Sequence, residues 1–244
     1  ANIFKILIEA RDKDKDVIVD GKGRSLQSML MMEDVLEHNG FHIILPASNA
    51  NLRPWNKGDI FIFNTGSGTG STIRHAKAAQ QDNLNVIGMT YNPDLPTDFE
   101  NVLVLKTSQE HSRNRNLAPL GTEFELASAV IGVCIGYSLK DTVELSLKEF
   151  DNSTNKILKT YDATFDYLET ELESIMNFIH LISEYIDAQN NRKIYFLGVG
   201  RNEIINRVAA IRYGHLCKSS KHDLRVIYEG HWDLRREGDL AILM

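Results

Sequence analysis

Residues 59–82 constrain this chain more than any other segment. The apolar run Ile60-Phe61-Ile62-Phe63 leads directly into Asn64-Thr65-Gly66-Ser67-Gly68-Thr69-Gly70-Ser71-Thr72, and a helical pattern follows at once. Glycines let a backbone turn tightly and aim its N–H groups inward, hydroxyls add donors, and the new helix brings its positive end to the same spot. A strand, a donor-rich turn and a helix in that order make a cradle for an anion. A flexible surface loop also uses Gly and Ser, but rarely between a strand and a helix. The segment is not a P-loop, because no Gly-Lys-Ser/Thr follows and Lys77 lies too far along the helix.

Around this segment, short β-branched runs alternate with amphipathic ones, the pattern of an α/β domain with a mainly parallel sheet. The runs predict strands over 17–20, 42–45, 59–63, 85–90 and 102–105, with helices over 25–39 and 71–82. Gly40 stands where a helix C-terminal glycine belongs. A polar loop over 106–116 precedes the nearly all-apolar stretch 123–139, which reads as a buried helix.

A second block begins near Asp151. Leu158, Tyr161, Phe165, Leu168, Leu172, Ile175, Ile179, Ile182 and Ile186 alternate spacings of three and four, so they share one helical seam that no Gly or Pro interrupts. Such a seam buries either on its own domain or against another molecule. The α/β rhythm then restarts, with strands expected over 193–197, 224–228 and 239–243 and a helix over 202–217. Gly21-Lys22-Gly23-Arg24-Ser25 matches Gly198-Val199-Gly200-Arg201-Asn202, and Gly58-Asp59 before an apolar strand matches Gly238-Asp239, a weak internal repeat. The expected organisation is an anion-binding domain over 1–150, then a long helix and a partial second repeat over 151–244. The second copy stops inside its third strand, which reads either as a cut chain or as a degenerate half that contributes packing or an interface.

Charge and composition exclude several classes. With 27 Lys and Arg against 33 Asp and Glu, the net charge of −6 gives no footprint for a nucleic-acid backbone. The longest apolar stretch, 126–139, falls short of a membrane span of roughly 20 residues, and no basic-then-apolar leader opens the chain, so a cytoplasmic location is expected. Cys134 and Cys217 lack the spacing of a zinc or redox pair and read as buried free thiols. Leu26 and Glu203 replace the third glycine of a dinucleotide fingerprint, so nicotinamide and flavin binding rank low. Tight turning into a helix is the minimum reading of Gly21 and Gly23, with Ser25 as a hydroxyl donor to a ligand.

Read in order, Gly-x-Gly-Arg-Ser (21–25), Gly-Asp before a strand that ends in Thr-Gly-Ser-Gly (58–68), Val86-Ile87-Gly88-Met89-Thr90-Tyr91-Asn92-Pro93, and Leu117-Ala118-Pro119-Leu120-Gly121-Thr122-Glu123-Phe124-Glu125 resemble a sugar isomerase (SIS) domain over about 17–139. The Pro-Leu-Gly-Thr-x-Phe-Glu signature is most similar to the 6-phospho-3-hexuloisomerases. The resemblance implies a flavodoxin-like five-stranded parallel sheet flanked by helices, followed here by a partial second SIS-like repeat. It also implies no organic cofactor, no metal, and a phosphosugar bound at the strand C-termini. By position, Thr65, Ser67, Thr69 and Ser71 match hydroxyls of the family's phosphate loop. Ser25 matches the serine of its first turn, and Glu125 matches the glutamate associated with proton transfer.

The chemistry fits those residues. Moving a carbonyl along a phosphosugar needs a base that takes a proton from the neighbouring carbon and returns it through an enediol, while the phosphate anchors the substrate. Glu125 is the expected base, against a reading as a solvated or capping glutamate, for which Glu123 is the better residue. His111, in the polar loop, is the second acid/base candidate, against a merely exposed histidine. The expected function is a phosphosugar isomerase of the 6-phospho-3-hexuloisomerase type. The alternative is a non-catalytic phosphosugar sensor or regulatory subunit, suggested by Asn64-Thr65 and Gly70 in the loop and by the incomplete second copy. The apolar seam and the run 240–244 at a sheet edge predict a homo-oligomer, a dimer or tetramer.

Overall fold

The computed structural model describes residues 1–45, 55–68, 70–106, 122–187, 193–199, 201–219, 225–228 and 240–243. They belong to two compact units, Ala1–Thr154 and Asn155–Met244.

In the first unit the β-branched runs become β1 (Val17–Gly21), β2 (Ile43–Ile44), β3 (Ile60–Asn64), β4 (Asn85–Thr90) and β5 (Asn101–Val104). They form one sheet in the order β2-β1-β3-β4-β5 with every pairing parallel, the five-stranded parallel sheet that the sequence predicts. Parallel strands are joined by crossovers that cover both faces, which is why these strands are apolar on both sides instead of alternating. Val17, Val19, Ile60, Ile62, Ile87 and Met89 pack on one face with α1 (Asn2–Asp12), α2 (Arg24–His38) and α4 (Thr122–Tyr137). Ile18, Phe61, Phe63 and Val86 pack on the other with Ala76 and Ala79 of α3 (Ser71–Gln81).

Helix α1 precedes every element expected from the sequence. Its Phe4, Leu7 and Ile8 repeat at helical spacing and are buried against the sheet. The edge strand β2 shrinks to two residues, paired only through Val17↔Ile43 and Ile18↔Ile44. At the end of α2 the Gly40 N–H reaches Glu37 O at 2.9 Å and the Phe41 N–H reaches Leu36 O at 3.2 Å, the double bond of a helix closed by a glycine. Helix α4 lies close to α2: a Cβ on Gly132 would come 2.9 Å from Met32 Cβ, and one on Gly136 2.8 Å from Val35 Cγ1. The glycines that interrupt the apolar run of α4 are therefore what lets the two helices touch.

The seam expected as one helix is two. Helix α5 (Val143–Thr170) ends at Glu171, and α6 (Leu172–Asp187) begins after it. The Glu171 N–H turns back to Leu168 O at 3.1 Å, a tightened last turn, and its carboxylate accepts the Ser174 hydroxyl at 3.0 Å. The chain breaks here without Gly or Pro, at a residue whose carboxylate binds a side chain of the next turn. In the second unit Ile182 is buried with Ile194, Phe196 and Ala210. There β6 (Lys193–Leu197) lies between β7 (Arg225–Tyr228) and β8 (Leu240–Leu243), all parallel, and α7 (Arg201–Ser219) follows β6. Strand β6 thus has its next strand on one side and the one after on the other, as β1 has β2 and β3. Cys134 is a buried free thiol, and burial pushes its pKa up. Among the described residues no helix is long and apolar enough to cross a membrane.

Candidate functional site

In the order β2-β1-β3-β4-β5, chain direction across the sheet reverses between β1 and β3. The turn after β1 leads to α2 on one face and the loop after β3 leads to α3 on the other, so a crevice opens at the C-terminal ends of these two strands. Gly21 and Asn64, register partners, close the two strands at its floor.

Both helices start at this crevice, with Gly23 (φ 59°) and Gly70 (φ 82°) as N-caps that carry no side chain to cap them. Helix starts without a side-chain cap present N–H groups that suit an anion. The loop between β3 and α3 is pinned by its carbonyls: Thr90 Oγ1 donates to Gly66 O at 2.9 Å and Asn92 Nδ2 to Ser67 O at 3.1 Å. A trans peptide sets the following N–H antiparallel to its carbonyl. The N–H groups of Ser67 and Gly68 therefore point away from the β4 turn. Thr65 is buried with its N–H on Met89 O at 3.0 Å, while Ser67 is exposed and Ser25 and Ser71 are half-buried. Among the described residues of the loop, Thr65 is thus buried and Ser67 exposed. Thr69 and His111 lie outside the described residues.

Glu125 comes to this crevice from α4. Its Oε2 lies 2.9 Å from Arg24 Nη1 at the start of α2, with side chains 15% and 9% exposed. Asn64, fully buried at the end of β3, fixes the arrangement: its Nδ2 approaches Ser25 O (2.9 Å), Ser28 Oγ (3.1 Å) and Ser128 Oγ (3.0 Å). Ser128 Oγ in turn donates to Glu125 O at 3.0 Å. One amide thus ties the first turns of α2 and α4 to the floor strand. Phe124 packs edge-on against Tyr91 in the turn after β4, ring centroids 5.7 Å apart, and a Cβ on Gly66 in the loop after β3 would lie 3.5 Å from Phe124 Cδ1, so the first turn of α4 borders both. The expected Ser25, Thr65, Ser67, Ser71 and Glu125 are gathered at the strand ends. Asn64 stood out in the sequence only as a departure in the loop, and Arg24 and Ser128 were given no part in the site. The one signal for them was a polar residue closing an apolar strand, as Asn64 does.

Outside the crevice, Glu33 has its carboxyl pushed up to about 7 by burial first, then by Glu37 and Asp34. It lies nine residues after Arg24 on α2, about 13 Å along the axis, and belongs to no part of the site.

No family model matches the chain, and no curated protein matches it by sequence. Solved structures match it by fold. The C-terminal domain of glucosamine-fructose-6-phosphate aminotransferase from Francisella tularensis is 16% identical over 93% of this chain and 62% of that one, with a TM-score of 0.60. The tagatose-6-phosphate ketose/aldose isomerase from Escherichia coli is 14% identical over 99% of this chain and 65% of that one, with a TM-score of 0.59. This chain therefore spans less than two thirds of either protein. At these identities the likeness is one of fold alone, an α/β fold with a five-stranded parallel sheet flanked by helices.

Proposed function

We propose that the chain is a phosphosugar isomerase that moves a carbonyl through an enediol, in its sharpest form interconverting 6-phospho-3-hexulose and fructose 6-phosphate. One observation carries the reading: a donor-rich loop pinned by its carbonyls shares a strand-end crevice with a carboxylate held against a guanidinium. The activities named for the similar folds act on sugar phosphates, which supports the substrate class. The hexulose version rests on the Pro-Leu-Gly-Thr-x-Phe-Glu signature.

The loop and the start of α3 take the phosphate, through the N–H groups of Ser67 and Gly68 and the hydroxyls of Ser67 and Ser71. Glu125 removes the proton from C2, next to the C3 carbonyl, and the electron pair forms the C2=C3 enediol. A proton passes from O2 to O3, and Glu125 returns its proton to C3, leaving the ketone at C2. Arg24, beside the carboxylate, is placed to stabilise negative charge on the enediol oxygens. Incubating the chain with hexose, pentose and heptose phosphates and resolving the isomers formed tests the proposal. Binding of these compounds without turnover would replace it by the sensor reading.

Ser67→Ala removes the exposed loop hydroxyl and no packed group. It is expected to weaken phosphosugar binding by about 10-fold, the loss of a hydrogen bond to a charged group, while the melting temperature stays within about 2 °C. Calorimetric titration beside a thermal melt reads both, and unchanged affinity would place the phosphate elsewhere.

A homo-oligomer belongs to the same proposal. Phe165, Leu168, Leu172, Met176 and Ile179 are all exposed on α5 and α6, and contiguous apolar side chains in water favour association. Light scattering at micromolar concentration is expected to give a mass of at least two chains, and a monodisperse 27.6 kDa particle would contradict it.

A further inference from the structure

Across the crevice from Glu125 stands a second polar pair that the isomerase reading leaves unused. Asp20, next to last in β1, is buried. Its Oδ1 accepts the Gly21 N–H at 2.8 Å and its Oδ2 faces His75 Nδ1 at 2.8 Å. The Asp20 side chain is 10% exposed and that of His75 49%. A carboxylate in this position calls for the hydrogen on Nδ1, which fixes the ring and leaves Nε2 as the nitrogen a ligand can meet.

The pair is placed by the fold. Asp20 shares with Ile18 the sheet face that α3 covers, at the end where β1 and β3 part. His75 follows Ser71 by four residues, so both lie on one face of α3, and helical side chains tilt toward the N-terminus. The ring therefore covers the turn that begins at the anion loop. Among the described residues, the basic side chains here are paired or exposed: Arg24 is held by Glu125, Lys77 pairs with Asp98 at 2.8 Å, and Lys22 and Arg74 are exposed. Among the described residues, His75 is a side chain near the loop that a buried acceptor holds in one orientation.

We propose that His75 Nε2 contacts the phosphate end of the bound phosphosugar and that Asp20 is its positioning residue. The inference rests on the phosphosugar reading of the crevice, and no bond is made or broken by the pair. Its test is calorimetric titration of the full-length chain and its variants with fructose 6-phosphate and, separately, with inorganic phosphate. His75→Ala is expected to weaken fructose 6-phosphate binding by about 10-fold or more. His75→Asn keeps an amide near Nδ1 but has no atom at Nε2, and should lose as much. His75→Gln carries its amide to the Nε2 position and should bind within about threefold of the wild type. Asp20→Asn should weaken binding less than His75→Ala does.

A merely structural link to Asp20 would give the opposite order, with Asn tolerated and Gln not, and that order would overturn the inference. So would a His75→Ala chain that binds like the wild type. If Ser67→Ala still weakens binding in that case, the phosphosugar reading stands and only the role of His75 is lost. A wild-type chain that binds neither compound removes both. Binding that depends on His75 in a chain that turns over no sugar phosphate removes the isomerase and keeps the inference.

Discussion

Replacing Glu125 by glutamine is expected to leave phosphosugar affinity within about threefold and to reduce turnover by at least about 100-fold. The amide has the shape of the carboxylate and can still accept from Arg24, 2.9 Å away, so the crevice keeps its walls. What disappears is the basic oxygen that takes the proton from carbon. Because the pair is largely buried, a thermal melt of the variant belongs beside the assay: an intact melt with lost turnover isolates the chemistry from folding. Glu123→Gln is the control, since two positions along a helix turns a side chain by about 200°. Exchange of solvent deuterium into the substrate reads the same proton transfer without the full turnover. Should the Glu125 variant keep that exchange while Glu123→Gln or His111→Ala abolishes it, the base is misassigned even if the isomerase reading survives.

How far the sequence reaches follows from what each interaction depends on. The strands were legible because burial on both faces demands continuous apolar runs, and 85–90 in the first sheet and 193–197 in the second match their strands end for end. The anion loop was legible because local backbone geometry dictates Gly and hydroxyl residues wherever a strand turns at once into a helix. The Arg24–Glu125 pair was not, since it joins residues about a hundred positions apart and exists only because α4 packs on α2 through Gly132 and Gly136. The same holds for Asn64, whose amide serves three acceptors from two other helices, and for Asp20 with His75. The break at Glu171 was hidden for another reason. The break falls at Glu171 without Gly or Pro, and the three-and-four spacing of the apolar seam runs through it undisturbed.

Gly21→Ala is expected to destabilise the first unit by about 2–4 kcal/mol and to abolish phosphosugar binding under conditions where the fold survives. A Cβ at this position would lie 2.9 Å from both the Cα and the N of Leu26, and backbone cannot swing aside as a side-chain tip can. Relief requires moving the start of α2, which carries Arg24 and Ser25 and receives the Asn64 amide. Gly23→Ala makes the comparison sharp. Its φ of 59° and ψ of −127° cost an alanine about 1–3 kcal/mol of local strain, but nothing lies within 4 Å of the new methyl, so α2 stays in place and binding should persist. Urea unfolding with titration of the surviving fold measures both variants, and a Gly21→Ala chain as stable as Gly23→Ala would show that the turn relaxes at little cost. The second unit offers an internal repetition of the experiment. A Cβ on Gly198 would lie 2.9 Å from Glu203 N, the same five-residue offset as Gly21 to Leu26, after a strand that is likewise central among three. If the two turns are copies of one design, Gly198→Ala should destabilise its own unit by a similar amount while leaving the phosphosugar affinity of the first unchanged.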